Sequence, residues 1–212
     1  SIRRRQRQMC IRDSTNTLIN VTKLKNMAYR NPRQILEDGS LKIYEQPKEG
    51  HIYITTVDVS RGQGQDFSAL SIFDCTKMPY RQVATYRSNE IPPMVYPNLI
   101  NRVGTLYNDS LILVEINDVG QQVSDILYHD LENTNLISIS SDTRKGQTIS
   151  SGFGGKSTTL GIRTTKATKK IGCMNMKSLI EEDKLLIRDF ETINELTTFI
   201  SKGPKYLSLI HI

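Results

Sequence analysis

Between residues 51 and 88, apolar and polar side chains alternate in three successive runs, 51–60 (HIYITTVDVS), 68–74 (SALSIFD) and 81–88 (RQVATYRS). A period of two sends neighbouring side chains to opposite faces, so each run predicts a β-strand with one face turned to a core. The separators RGQGQDF and CTKMPY are of hairpin-loop length, and an antiparallel meander is the economical arrangement. The period then changes. Residues 93–107 predict a helix with Val95, Leu99, Val103 and Leu106 on one face. The run 111–116 (LILVEI) is too short and too apolar for anything but a buried strand. Residues 119–131 return to helical spacing at Val123, Ile126, Leu127 and Leu131, and a fifth strand follows at 136–140. Three strands in a meander followed by a parallel crossover pair imply an α/β fold: a mixed sheet with helices on its faces.

The flanking segments are plainer. Residues 15–37 predict one or two short polar helices, with Leu18, Val21, Leu24 and Met27 near helical spacing and Pro32 as a break. Residues 38–50, rich in Gly, Pro and charge, read as a linker, so a compact domain is expected from His51. Residues 141–165 form a long Gly/Ser/Thr stretch of the kind that is functional or disordered. A helix over 166–183, a short strand over 184–188 and a helix over 190–200 complete the pattern, with Phe190, Ile193, Leu196 and Ile200 in register. The opening SIRRRQRQMCIRDS and the closing LSLIHI resemble translated sequencing-adapter sequence, so residues 1–14 and 207–212 are assigned no function and the chain reads as a fragment. The opening also has no apolar stretch and is not a secretory signal.

Charge changes the picture only once it is located. The chain of 212 residues carries a net charge of +6. Much of that excess sits at the opening, in Arg3, Arg4, Arg5, Arg7 and Arg12. A second basic segment holds Arg144, Lys145, Lys156, Arg163, Lys166, Lys169 and Lys170, and because the two segments together exceed the net charge, the remaining body is mildly acidic. No apolar run approaches the roughly 18–20 residues of a spanning helix. Cys10, Cys75 and Cys173 are scattered and odd in number, which argues against a disulfide framework or structural zinc and for a reducing compartment.

Two acids stand in apolar strands, Asp58 in ITTVDVS and Glu115 in LILVEIN. Burying a carboxylate costs several kcal/mol unless it is paired, protonated or metal-bound. The meander-crossover order sets the first and fourth strands side by side, with both acids near matching ends. At about 4 Å two such charges repel by roughly 4 kcal/mol at an effective dielectric of 20. A divalent cation turns the repulsion into coordination, and hard oxygen donors without nearby His or Cys point to Mg²⁺ or Mn²⁺. The bland alternative is that either acid faces solvent on a half-exposed strand.

Here a resemblance becomes specific. DVSRGQGQDFSAL after a strand, then VEINDVGQQV, then TTKATKKIGCMNMKSLIEEDKLLI resemble, in order, the C-terminal nuclease domain of tailed-phage large terminase subunits, nearest the T-even-like branch. The resemblance runs from about Leu18 to Gly203. It implies a ribonuclease-H-like mixed sheet and two-metal cleavage of double-stranded DNA during genome packaging. It also implies an ATP-using domain ahead of this chain, a portal protein and a small terminase subunit as partners, and a place in the host cytoplasm at the procapsid portal. Asp58 and Glu115 match the first two metal-ligand carboxylates, and Asp66 matches the acid of the Gly-rich hairpin. Arg61 stands where related sequences often carry an acid. By that match residues 15–50 end the preceding ATPase region and its linker, and residues 51–206 are the nuclease domain.

Other features have structural readings beside the functional ones. Gly62 and Gly64 permit a tight strand reversal, and Asp66 either caps that turn or reaches the metal site as an outer ligand. Asp118 reads as a helix N-cap, with Gln121 three residues on completing a capping-box pattern. GFGGKST (152–158) fails as a phosphate loop in spacing and context, since no helical pattern begins at Ser157. The seven basic residues of 144–170 suit sequence-independent contacts to DNA phosphates, or else form a solvated loop and helix face. His51, His129, Cys75 and Cys173 have no partner pattern for catalysis. The resemblance places a third ligand acid beyond Gly203, and Asp142, Asp189 and Glu195 are poor substitutes. Weak metal binding and little cleavage by this chain are therefore expected. Rivals are another nuclease of the same fold, a junction resolvase or transposase, and a non-catalytic DNA-docking module.

Overall fold

The computed structural model describes residues 17–27, 29–141, 147–149, 158–202 and 205–208. The meander is present as β3 (Tyr53–Asp58), β4 (Ser68–Asp74) and β5 (Tyr80–Ser88), paired antiparallel in that order. Helix α2 (Tyr96–Leu106) crosses over to β6 (Leu111–Val114), which returns parallel to β3. The mixed sheet that the hydrophobic pattern predicts is thus the sheet observed.

The segment before His51 is not merely a linker. After α1 (Val21–Asn26), strands β1 (Gln34–Leu36) and β2 (Leu41–Ile43) form a hairpin, and β2 pairs antiparallel with β5. Leu41 and Ile43 are buried in the main core. Three residues are too few for an alternation to register in sequence, and the Gly and Pro around them mark the turns instead. Among the described residues the main sheet has the order β1-β2-β5-β4-β3-β6, with β10 (Leu185–Leu186) parallel to the start of β5.

After β6 come α3 (Gly120–Asp125), a turn of π-helix over Ile126–Asp130, and β7 (Ser138–Ser141). β7 extends the parallel side only through a bridge between Leu136 and Ile112. It carries its own small sheet with β8 (Gln147–Ile149) and β9 (Thr158–Leu160), so the expected loop over 141–165 contains two short strands. The last elements are α4 (Lys166–Glu181), α5 (Phe190–Thr198) and a hairpin of β11 (Phe199–Lys202) and β12 (Lys205–Ser208).

The sheet has two faces with different cover. Tyr53 and Val57 of β3, Leu70 and Ile72 of β4, and Ile112 and Val114 of β6 face α2 and α3 in the main core. The stripe of α2 is rotated from the expected one. Tyr96, Leu99, Ile100, Val103 and Tyr107 are buried, whereas Val95 and Leu106 are exposed. On the opposite face α1, α4 and α5 cover only one end, around Leu24, Ile180, Ile193 and Leu196, with Phe73 of β4 packed against them. Among the described residues the other end of that face is left uncovered, and the acids lie there.

Candidate metal centre and nucleic-acid cleft

Strand pairing brings the two acids together. Val57 is in register with Val114, and the Glu115 amide donates to the Val57 carbonyl at 2.9 Å, so Asp58 and Glu115 continue the parallel ladder as neighbours. Both point away from the main core, because Val57 and Val114 point into it. Asp58 separates two open spaces. One, of about 310 Å³, is a shallow trough on the sheet face that Glu115 shares with Thr56, Ser71, Ile162 and Thr164. The other, of about 420 Å³, is a cleft between the Gly-rich hairpin and α5.

Electrostatics follow from that placement. Asp58 keeps water-accessible surface at the cleft mouth. Even so, surrounding protein desolvates its carboxyl and, with the Glu115 charge as second cause and the Asp66 charge adding to both, pushes its pKa above the ordinary 3.8. Glu115 is the charge that acts most strongly on Asp58. Asn117 orients it by donating from Nδ2 to Glu115 Oε1 at 3.1 Å and to the Thr164 carbonyl at 3.0 Å.

Two glycines let the backbone close around this pair. A Cβ at Gly120 would overlap the Glu115 carbonyl, so α3 can start beside Glu115 only without a side chain there. Gly62, at φ +64°, would drive a Cβ into the Ile91 carbonyl, which fixes the hairpin against the chain leading into α2. The hairpin base is braced by Ser60, whose amide donates to Ser68 Oγ at 3.0 Å inside the protein.

Asp66 lines the cleft with Asp58, and its carboxylate accepts no hydrogen bond among the described residues, so it does not cap the turn. Asp118 is not the N-cap of α3. Val119 takes that position without a side-chain bond, and Gln121 donates instead to Asp125 at 2.9 Å. Asp118 adopts φ +50° and receives Arg61 in a fork, Nε to Oδ2 at 2.8 Å and Nη2 to Oδ1 at 2.7 Å. That bond, with the Arg61 charge, holds the Asp118 carboxyl below its ordinary range. The capping pattern fails because a cationic partner across the cleft, invisible in local sequence, competes for the side chain.

Arg163 is exposed next to Ile162, which bridges to Glu115. Lys166, Lys169 and Lys170 are exposed on the first turns of α4, whose Thr165 accepts the Thr168 amide as N-cap. Arg144, Lys145, Lys156, Asp142 and most of GFGGKST lie outside the described residues. Asp189 caps α5 by accepting from the Thr192 amide at 2.8 Å and is held by Tyr44 at 2.7 Å, so it serves structure. Glu195 is half-exposed and lines the same cleft as Asp58, bound to Arg87. His51, with no partner evident in sequence, bonds the buried Asp74 at 2.9 Å. Cys75 and Cys173 are half-buried free thiols. Sequence reasoning missed Arg87 and Asn117. Alternation places Arg87 on the polar face of its strand, but only the register shows what it stands beside.

The donor set suits a hard divalent cation: two carboxylates, one with a raised pKa, and an amide that orients the other. Among the described residues no group of three or more His, Cys, Asp or Glu gathers around one point. No described helix is long and apolar enough to cross a membrane.

The chain is similar to the crystal structure of the large terminase nuclease from thermophilic phage G20c with bound magnesium, at 14% identity and a TM-score of 0.63 over 88% of this chain and 82% of that one. The same phage protein with bound cobalt gives 14% and 0.65 over 92% and 88%. The Thermus phage P74-26 large terminase nuclease domain gives 15% and 0.57 over 87% and 78%. At these identities the likeness carries the fold alone. The family described as the terminase RNaseH-like domain matches residues 55–206, which take in most of β3, all of β6 and both acids. The chain therefore belongs to the terminase RNaseH-like domain family.

Proposed function

We propose that this chain is the metal-dependent endonuclease unit of a viral DNA-packaging terminase, hydrolysing phosphodiester bonds of concatemeric double-stranded DNA. The observation that carries the reading is the adjacency of Asp58 and Glu115 at the ends of two parallel strands, on the open face of a sheet of this family's fold. Asp58 and Glu115 are the residues to hold Mg²⁺ or Mn²⁺, and Asp66 stands as an outer acid in the same cleft. Bound there, the cations supply a more acidic water as nucleophile and neutralise charge on the leaving 3′ oxygen. The G20c nuclease is solved with bound magnesium, cobalt and zinc, which supports a divalent cation at such a site.

The protein's own part is positional. Asn117 fixes the Glu115 carboxylate, Gly120 lets α3 pack against the Glu115 backbone, and the Arg61–Asp118 fork ties the hairpin to the loop after β6. Together they hold both acids in one geometry before DNA arrives, which favours transition-state stabilisation over reorganisation. Arg163, Lys166, Lys169 and Lys170 furnish phosphate contacts on the segment that runs past Glu115, and Arg144, Lys145 and Lys156, outside the described residues, add charge of the same sign. A nuclease of this kind works in the host cytoplasm at the procapsid portal. It is joined there to an ATP-using motor domain, a portal protein and a small terminase subunit, as the resemblance of its motifs implies.

Plasmid cleavage in Mg²⁺ or Mn²⁺ by the terminase subunit that carries this domain tests the reading. Asp58→Asn and Glu115→Gln are each expected to reduce the rate at least about a hundredfold, the scale of losing a principal electrostatic group. Undiminished cleavage in both variants would remove these acids from the chemistry.

A further inference from the structure

Arg87 stands in the same transverse row as the acid pair. Glu115, Asp58, Ala69 and Arg87 follow one another across β6, β3, β4 and β5 and share one face of the sheet. Ala69 contributes only a methyl group between Asp58 and Arg87, and all three line the cleft. Two strand spacings separate the Cα atoms of Asp58 and Arg87, about 10 Å.

The guanidinium is pre-oriented and loosely held. It lies 4.0 Å from the centroid of the Phe67 ring, a stacking that fixes its plane. Its Nη2 is 3.3 Å from Glu195 Oε1, and its Nη1 is 3.9 Å from Glu191 Oε2, both longer than a good charge-assisted bond. Glu191 is bound more closely by Lys42, at 3.0 Å. The other guanidinium lining the cleft, Arg61, is instead fully engaged by the short fork to Asp118. Arg87 is thus the cleft cation whose carboxylate partner is most easily exchanged. A phosphate presents the same fork-matching oxygens as that carboxylate.

We infer that Arg87 grips a DNA backbone phosphate flanking the one set against Asp58 and Glu115, and that Glu195 holds Arg87 in place until DNA displaces it. The inference rests on the nuclease reading and deepens it. Arg87 sets which phosphate sits on the acids, and Glu195 disfavours DNA in the cleft until the exchange is made. The other acids of the cleft, Asp58, Asp66 and Asp118, make the exchange matter, because carboxylates lining the cleft repel a polyanion.

The test is a double-mutant cycle read by fluorescence anisotropy with a short labelled duplex in EDTA, over a range of salt. Arg87→Met keeps the stem on Phe67 and is expected to weaken binding about tenfold, with a salt slope shallower by about one. Glu195→Gln is expected to tighten binding severalfold, and to give a clearly smaller gain in the Arg87→Met background, where only the loss of one cleft charge remains. Arg87→Lys should recover the salt slope but not the full affinity, since it keeps the charge and loses the fork. Melting curves identify any variant that fails to fold, in which case Arg87→Lys carries the comparison. Unchanged affinity in Arg87→Met, or a Glu195→Gln gain as large without Arg87 as with it, would overturn the assignment. Wild-type protein with no affinity for duplex DNA would instead sink the nuclease reading.

Discussion

At Asp58 burial and neighbouring charges both act against the ionised carboxyl. The group is desolvated and faces Glu115, so its folded pKa lies above the unfolded value near 3.8. A group shifted upward binds its proton more tightly when folded, so it favours the folded state at low pH. That advantage is lost as the pH rises from the unfolded value through the raised folded one. Asp58→Asn removes the charge while keeping the shape. In EDTA at neutral pH its melting temperature is expected to exceed that of the wild type, by about 2–4 °C for each kcal/mol of repulsion relieved. The gap should narrow towards pH 4 and should reverse when Mn²⁺ is added. Thermal melts over pH and metal check this, and a variant that melts lower at neutral pH in EDTA would show that Asp58 is stabilised by its surroundings. Asp74 shows the opposite balance: burial pushes it up, but bonds from Thr76 and His51 and the Arg81 charge outweigh that and hold it below 3.8. Single residues are thus legible unevenly. Asp58 and Glu115 can be found because a charge inside an apolar strand is costly wherever the strand lies. Asp118 misleads because its partner, Arg61, is distant in sequence, and Arg87 looks like any polar strand residue.

Among elements, α4 carries the plainest testable charge. Its first turns present Lys166, Lys169 and Lys170 to solvent, and the segment leading into it runs past Glu115 through Ile162 and Thr164. Reversing the three lysines to Glu is expected to weaken duplex binding at low salt and flatten its salt dependence by about one unit for each phosphate that is no longer neutralised. Since the side chains are exposed, the melting temperature should hardly move. An unchanged salt slope, measured by anisotropy titrations, would make this a solvated helix face. Long elements are legible in the sequence: β3, β4 and β5 by alternation, α2, α4 and α5 by helical spacing. Short ones are not. β1, β2, β8 and β9 have three residues each and owe their existence to partners elsewhere, which periodicity cannot report. The stripe of α2 falls a little off its expected place because Tyr96 and Tyr107, both amphipathic in sequence, are fully buried.

The whole molecule couples two cores across one sheet, and the smaller depends on residues before His51. Leu18, Ile19 and Leu24 pack with Ile180, Ile193 and Leu196, and the Leu18 amide donates to the Phe199 carbonyl at 2.9 Å. We therefore take residues 17–50 as part of the domain's folding unit. Leu24→Ala, at a site 1% exposed, is expected to cost about 2–5 kcal/mol of global stability in a single denaturation transition. An unaltered transition would return that segment to the status of a linker. What the sequence by itself determined is the class of fold and the two acids, because alternation, helical period and the cost of a buried charge are local properties of a chain. Tertiary structure alone decided how strands far apart in sequence line up. The register between β6, β3, β4 and β5 sets Glu115, Asp58 and Arg87 in one row, and the packing of α5 brings Glu195 to meet that row. Register depends on which side chains fill the shared core, and a shift of one residue would turn all of these groups to the other face.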